Sequence, residues 1–231
     1  MNKNLCFIPA KSNSERLENK NSLLVLDKPL YYYPIKCAIN SKLFNKEDII
    51  FSSDSVKMIQ NAQLYGANAP YIRNKKLTKN TTRIIDVILD FFEKFEKYKT
   101  YDNLFIGLST SPLVKPLDYQ KAFKLFIDGQ YNTLLSVKKN SNSIYQSLKI
   151  DNNFLKPVFE SNFIKSNSRE ETFHPDGNVH IIKIKKLLEL KSYVVDPVIP
   201  FEIRSKYKID IDEKSDLEYL IYLIEKNLIS I

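Results

Sequence analysis

Three stretches of this 231-residue chain gather side chains that could do chemistry. The first is Ala10-Lys11-Ser12-Asn13-Ser14-Glu15-Arg16-Leu17-Glu18-Asn19-Lys20-Asn21, directly after an apolar run at 5–9. It holds the cations Lys11, Arg16 and Lys20, together with two serines and three asparagines. Donors and positive charge arriving at a strand end are what a phosphate needs. The run lacks glycine, so an ordinary exposed loop fits the same composition. The second stretch is Ile209-Asp210-Ile211-Asp212. In a strand, residues i and i+2 share a face. Ile209 and Ile211 would then face the core, and both carboxylates the opposite side, close enough to share one cation. Two hard carboxylates with retained waters suit Mg2+. An exposed strand face with Asp212 capping the following helix explains the pattern equally. The third is Phe173-His174-Pro175-Asp176-Gly177-Asn178, where Gly177 permits a tight turn and His174 reads as structural or solvated before it reads as catalytic.

The elements that must position these loops alternate. Short apolar runs predict strands at 5–9, 48–52, 69–72, 103–107 and 132–137, and longer periodic runs predict helices at 30–41, 56–65, 82–98 and 117–127. In 82–98, Ile84, Ile85, Ile88, Leu89, Phe92 and Phe95 form one stripe, which is core. Pro34 falls in the first turn of its helix. Such alternation predicts a mainly parallel sheet with helices on both faces. Ligands bind such sheets at the carboxyl ends of the strands. The loops after Pro9, Ser52 and Gly107 are therefore the places to look. From 140 to 173 the chain turns polar and irregular; strand-like stretches at 144–150 and 154–159 around Asp151-Asn152-Asn153 predict a hairpin or arm. A buried strand at 179–184, a last strand at 208–212 and a closing helix at 214–227, with Leu217, Leu220, Ile221 and Ile224 inward, complete the chain. No internal repeat occurs.

Hydrophobic residues at 43% suffice for one sizeable core, and four glycines with mixed charges exclude collagen-like or disordered chains. No run of about 18 apolar residues can span a membrane, and the first apolar run is too short for a signal peptide. The chain reads as one mature, cytoplasmic domain over 1–231. Its net charge of +8 comes from scattered Lys, with no basic run longer than two residues, which argues against a nucleic-acid partner. Cys6 and Cys37 read as small buried hydrophobes, without the partners of a metal site or disulfide framework.

Further short motifs occur in order: Lys28-Pro29-Leu30, Phe51-Ser52-Ser53-Asp54-Ser55, Tyr65-Gly66-Ala67, Ile72-Arg73, Thr110-Ser111-Pro112-Leu113 and Asp176-Gly177. With the loop after Pro9 and Ile209-Asp210-Ile211-Asp212, this series resembles the CMP-sialic acid synthetase family, with its legionaminate and pseudaminate relatives. The resemblance covers essentially the whole chain. Where that family has Arg, Lys, Gln, Arg, Asn and Asp, this chain has Lys11, Glu15, Leu108, His174, Asp176 and Asn80. The nucleotide elements are mostly kept, and those around the sugar acid are changed.

The resemblance implies a three-layer Rossmann-like α/β nucleotidyltransferase fold and a homodimer formed through the arm at 140–173. It implies transfer of CMP from CTP to a nonulosonic sugar acid, with Mg2+ as cofactor. Lys11 and Lys20 would hold the phosphates, Asn21 and Arg73 would contact the cytosine end with help from Thr81 or Thr82, and Ser12, Ser14 and Arg16 would complete the nucleotide site. Asp210 and Asp212 would hold the metal and, with Lys20, carry catalysis. Thr110, Ser111, His174 and Asp176 would meet the sugar acid. Competing readings are a cytidylyltransferase for another acid such as an octulosonate, a catalytically impaired nucleotide binder, and a glycosyltransferase, whose Asp-x-Asp usually lies mid-chain.

Overall fold

The computed structural model describes residues 2–141, 144–159, 171–207 and 209–231. The chain divides into two compact units, one of Met1–Ser136 with Gly177–Ile231 and the other of Val137–Asp176. A six-stranded sheet organises the first. Its strands are β1 (Asn4–Pro9), β4 (Ile49–Ser52), β5 (Asn103–Ile106), β6 (Thr133–Lys139), β9 (Phe173–Lys183) and β10 (Val198–Phe201). They lie in the order β10-β6-β9-β5-β1-β4. β1 pairs in parallel with both β4 and β5, and β10 with β6, while β9 runs antiparallel to β5. The sheet is thus mainly parallel, as the alternating pattern predicts.

Alternation along β1 builds two cores. Cys6 and Ile8 pack into a cluster with residues of α1 (Tyr32–Ser41), α2 (Val56–Tyr65) and α4 (Pro116–Ile127). Leu5 and Phe7 face the other way, into a cluster with α3 (Ile84–Lys94) and α5 (Ile184–Leu190). This makes the three layers. The second cluster centres on Phe91, whose ring meets those of Phe7, Tyr71, Phe92, Phe95 and Tyr98 at 5.2–6.1 Å. A ring buried in this way contributes about 3–5 kcal/mol. Both cysteines are free and buried. No helix among the described residues is long and apolar enough to cross a membrane.

Several elements differ from the sequence expectation. The helix expected at 82–98 ends at Lys94, and Phe95 leaves helical geometry (φ −129°, ψ 71°) before a short 3-10 helix, Glu96–Thr100. That break lets both Phe95 and Tyr98 stack against Phe91. The strand expected at 69–72 is reduced to single bridges, Ile50 with Asn68 and Ser53 with Ile72. Pro70 has no N–H to continue a ladder there. Gly66, at φ +103°, ends α2, and the Ala67 N–H closes on the Ala62 carbonyl at 3.0 Å, which turns the chain back along β4. No strand forms over the described part of 208–212; Ile211 instead donates its N–H to the Thr110 carbonyl at 2.9 Å. Ile209 and Ile211 are nonetheless buried, against Leu220 and Leu223 of α6 (Lys214–Glu225). On α6 it is Leu223 rather than Ile221 that turns inward. The hairpin of β2 (Leu24–Val25) and β3 (Lys28–Pro29), together with α5 and β10, was not foreseen. β10 carries Pro200 and lies at the sheet edge, where a missing N–H is tolerated.

The second unit contains an antiparallel hairpin of β7 (Leu148–Asp151) and β8 (Phe154–Pro157). Its two-residue turn is Asn152 (φ 50°) and Asn153 (φ 66°), the left-handed pair that such turns require and asparagine tolerates. Ile150, Phe154 and Leu155 are 76%, 72% and 67% exposed. Phe163, also part of the expected arm, lies outside the described residues.

Candidate active site

A cavity of about 450 Å³ opens where β1 and β5 end. The loop after β1 forms one wall and Leu108-Ser109-Thr110 another. β1 passes into its loop under control of the neighbouring strand, since the Ala10 N–H continues the ladder to the Ser52 carbonyl at 2.9 Å. Lacking glycine, the loop is shaped by side-chain ties. Asn21 Nδ2 donates to the Lys11 carbonyl at 2.8 Å and closes the two ends. The Lys11 ammonium reaches Asn80 Oδ1 at 2.6 Å. Asn19 adopts the left-handed region (φ 51°) and admits a 3-10 turn at Lys20–Ser22 that aims Lys20 inward.

Five cations converge here: Lys11, Arg16, Lys20, Arg73 and Lys79 all line the cavity, against one carboxylate, Glu15. Leu77, Ile84, Val87 and Leu108 add an apolar part to the lining. Arg73 is 4% exposed. Ser52 supplies both its acceptors: Nε donates to the hydroxyl at 3.1 Å and Nη2 to the carbonyl. Tyr71 Oη shares the Ser52 hydroxyl at 2.7 Å. Burial loosens the Arg73 proton, while Tyr71, Asp54 and Asp90 oppose that shift. A guanidinium stays charged through such shifts, so a fixed, desolvated cation stands at the cavity floor.

Asp210 and Asp212 lie beside Thr110 and Lys20. Asp212 Oδ1 accepts from Lys20 Nζ and Oδ2 from Arg16 Nη1, each at 2.9 Å. Burial pushes the Asp212 carboxyl up, but the hydrogen bonds and charges of Lys20 and Arg16 outweigh it and hold it below the usual carboxylate range. Asp210 moves the other way: desolvation raises it, the Thr110 hydroxyl opposes, and Asp212 adds to the rise. The two carboxylates are therefore not equivalent. Asp212 is not the helix cap either. Glu213 is the cap, and Asp216 closes the capping box, accepting the N–H groups of Asp212 and Glu213 at 2.9 and 2.8 Å.

Of the residues expected from sequence, Lys11, Ser14, Arg16, Lys20, Asn21, Arg73, Thr82 and Thr110 line this one cavity. Thr81 does not line it, and Ser111 is buried with its hydroxyl on the Gly177 carbonyl at 3.4 Å. Ser12 turns away to Asp54. His174 and Asp176 belong to the second unit, where His174 Nδ1 meets Asn140 Oδ1 at 2.7 Å. Lys79, Leu77 and Ser109 were missed. The Ser109 hydroxyl is buried with no partner among the described residues. Lys79 had no signal beyond its closeness to Asn80.

Comparison with known proteins points one way. A family model described as cytidylyltransferase matches residues 5–230. The pseudaminic acid cytidylyltransferase of Campylobacter jejuni is 30% identical over 229 residues, covering 97% of each chain. The CMP-N,N'-diacetyllegionaminic acid synthase of Legionella pneumophila is 30% identical over 227 residues, covering 96% of this chain and 97% of its own. Among solved structures, a CMP:2-keto-3-deoxy-manno-octonic acid synthetase complexed with CTP superposes with a TM-score of 0.72 at 14% identity, over 97% of this chain and 99% of its own. At that identity the likeness is one of fold.

Proposed function

This chain belongs to the cytidylyltransferase family, and from that premise we propose that it transfers CMP from CTP to the anomeric hydroxyl of a nonulosonic acid, releasing pyrophosphate. The convergence of five cations on one cavity beside Asp210 and Asp212 carries the reading. A triphosphate brings about four negative charges, which point charges from Lys11 and Lys20 and the fork of Arg16 can offset. Arg73 and Asn21, deeper in the cavity, serve the cytosine end.

Cytidylyltransferases are generally divalent-metal dependent. Asp210 and Asp212 offer hard oxygens only, and no group of three His, Cys, Asp or Glu side chains able to hold a metal occurs among the described residues. That donor set fits Mg2+, which takes one or two carboxylates and completes its shell with substrate phosphates and water. When bound, Mg2+ supplies charge neutralisation at the reacting phosphate. The chain's own residues do the rest. Lys20 and Arg16, which hold Asp212 here, are also within reach of the cavity and would bind phosphate oxygens there, while Asp210 and Asp212 would hold the metal. One of the two aspartates takes the proton of the attacking hydroxyl. The reaction is in-line displacement at phosphorus, where positioning and charge neutralisation do most of the catalysis. Formation of a CMP-sugar from CTP and such an acid tests the reading.

The unit at 137–176 supports a homodimer. Its hairpin leaves Ile150, Phe154 and Leu155 mostly exposed, and exposed apolar clusters of this kind mark interfaces. Light scattering at micromolar concentration should give twice the 27.0 kDa chain mass. A monomer there contradicts the dimer.

A further inference from the structure

Asp54 follows β4 on the strand beside β1, and no step above uses it. Its two carboxylate oxygens are divided between two donors of a single residue. The Ser12 N–H donates to Oδ1 at 2.8 Å and the Ser12 hydroxyl to Oδ2 at 2.6 Å. Ser12 is not on the cavity wall, but Lys11 and Ser14 on either side of it are. A two-point hold on Ser12 fixes the peptide between 11 and 12 and with it the direction in which Lys11 leaves the backbone. The base of this hold is rigid. Pro9 is in register with Ser52, the Ala10 N–H reaches the Ser52 carbonyl, and the Arg73 N–H reaches the Ser53 carbonyl at 2.8 Å. Ser52 also carries the Arg73 guanidinium. One short segment, 52–54, thus grips the loop that bears Lys11 and the buried arginine at the cavity floor.

The geometry points to Asp54 as a positioning residue that holds the Ala10–Asn21 loop in its nucleotide-binding shape through Ser12. The inference rests on the CTP reading above. A carboxylate this close to a phosphate site would by itself repel the ligand. Here its two oxygens are taken up by Ser12, its charge also faces the Arg73 guanidinium, and the loop is ordered before the nucleotide arrives rather than at its expense. A loop without glycine has little conformational freedom to spare at Ser12, so two hydrogen bonds to one side chain suffice to set its course.

The test compares wild type with Asp54→Ala, Asp54→Asn, Ser12→Ala and the Asp54→Ala/Ser12→Ala double variant. Hydrogen exchange at the Ser12 amide is measured in free protein, and CTP affinity by calorimetry. Asp54→Ala should speed exchange at Ser12 and weaken CTP about tenfold, the scale of one lost charge-assisted hydrogen bond. The KM for CTP should rise in step, with kcat changing less. Asp54→Asn keeps an acceptor for the Ser12 N–H and should recover most of the affinity. The double variant should be no worse than Asp54→Ala alone, because both remove one link. A merely structural Asp54 would lower the melting temperature and leave the CTP affinity of folded protein unchanged, and that result overturns the inference. Should Asp54→Ala not fold, Ser12→Ala decides: unchanged CTP affinity there overturns it too. If wild type itself binds no CTP, the nucleotide assignment fails, and exchange at Ser12 in the free variants still judges Asp54, with unchanged exchange counting against it.

Discussion

Asp212→Asn should cut turnover by on the order of 10²-fold or more, the scale of losing one electrostatic stabiliser, and leave the fold intact. The side chain keeps its size. It is not the cap of α6, which is Glu213, with Asp216 holding the N–H groups of both Asp212 and Glu213. What the variant loses is the charge that Lys20 and Arg16 now share. Arg16 is 68% exposed in its side chain, so that pair adds little to stability, about 0–1 kcal/mol. The shielded Lys20 also loses its partner, so the melting temperature should fall modestly while kcat falls far more. Turnover against Mg2+ concentration is the measurement. Retained activity with the same Mg2+ dependence in both Asp212→Asn and Asp210→Asn would remove the carboxylates from the chemistry.

Lys20→Ala should weaken CTP binding by about 1.5–3 kcal/mol, or roughly 10- to 150-fold, if the ammonium makes one charge-assisted phosphate contact. Its side chain is 14% exposed against 68% for Arg16, so Lys20 is the better shielded of the two cations on Asp212. Screening by solvent is weaker there. Arg16→Ala should accordingly cost less, and the order Lys20 over Arg16 is itself diagnostic. Calorimetry with CTP reads both. Equal, small losses would place the triphosphate away from this wall.

Most of the sheet and its helices were legible because β1 and β4 are largely apolar runs and α3 carries an apolar stripe at helical spacing. The strand at 69–72 was misread for a local reason: Pro70 interrupts a stretch whose composition alone looks extended. The pair Asp210 and Asp212 shows how a pattern can outlive its presumed cause. Both isoleucines face the core and both aspartates face away, yet no ladder forms among the described residues; burial against α6, Val25 and Leu30, with one bond from the Ile211 N–H to Thr110, holds the alternation. The sequence offered a shared cation as the reason for the two carboxylates, and for Asp212 the cations in place are Lys20 and Arg16, from a loop almost 200 residues earlier. Ion pairs across such separations leave no trace in local spacing. Asp54 was in view as part of a motif, but its work depends on β1 and β4 being neighbours, which only the sheet order reveals.

The most direct measurement is the mass of the product. Purified protein is incubated with Mg2+, with CTP, ATP or GTP, and with a panel of nonulosonic and octulosonic acids, and products and pyrophosphate are followed by mass spectrometry. The account predicts a CMP-sugar and one pyrophosphate per turnover, from CTP and a nonulosonic acid. CTP bound but never cleaved, or CMP attached only to an octulosonic acid, would contradict it.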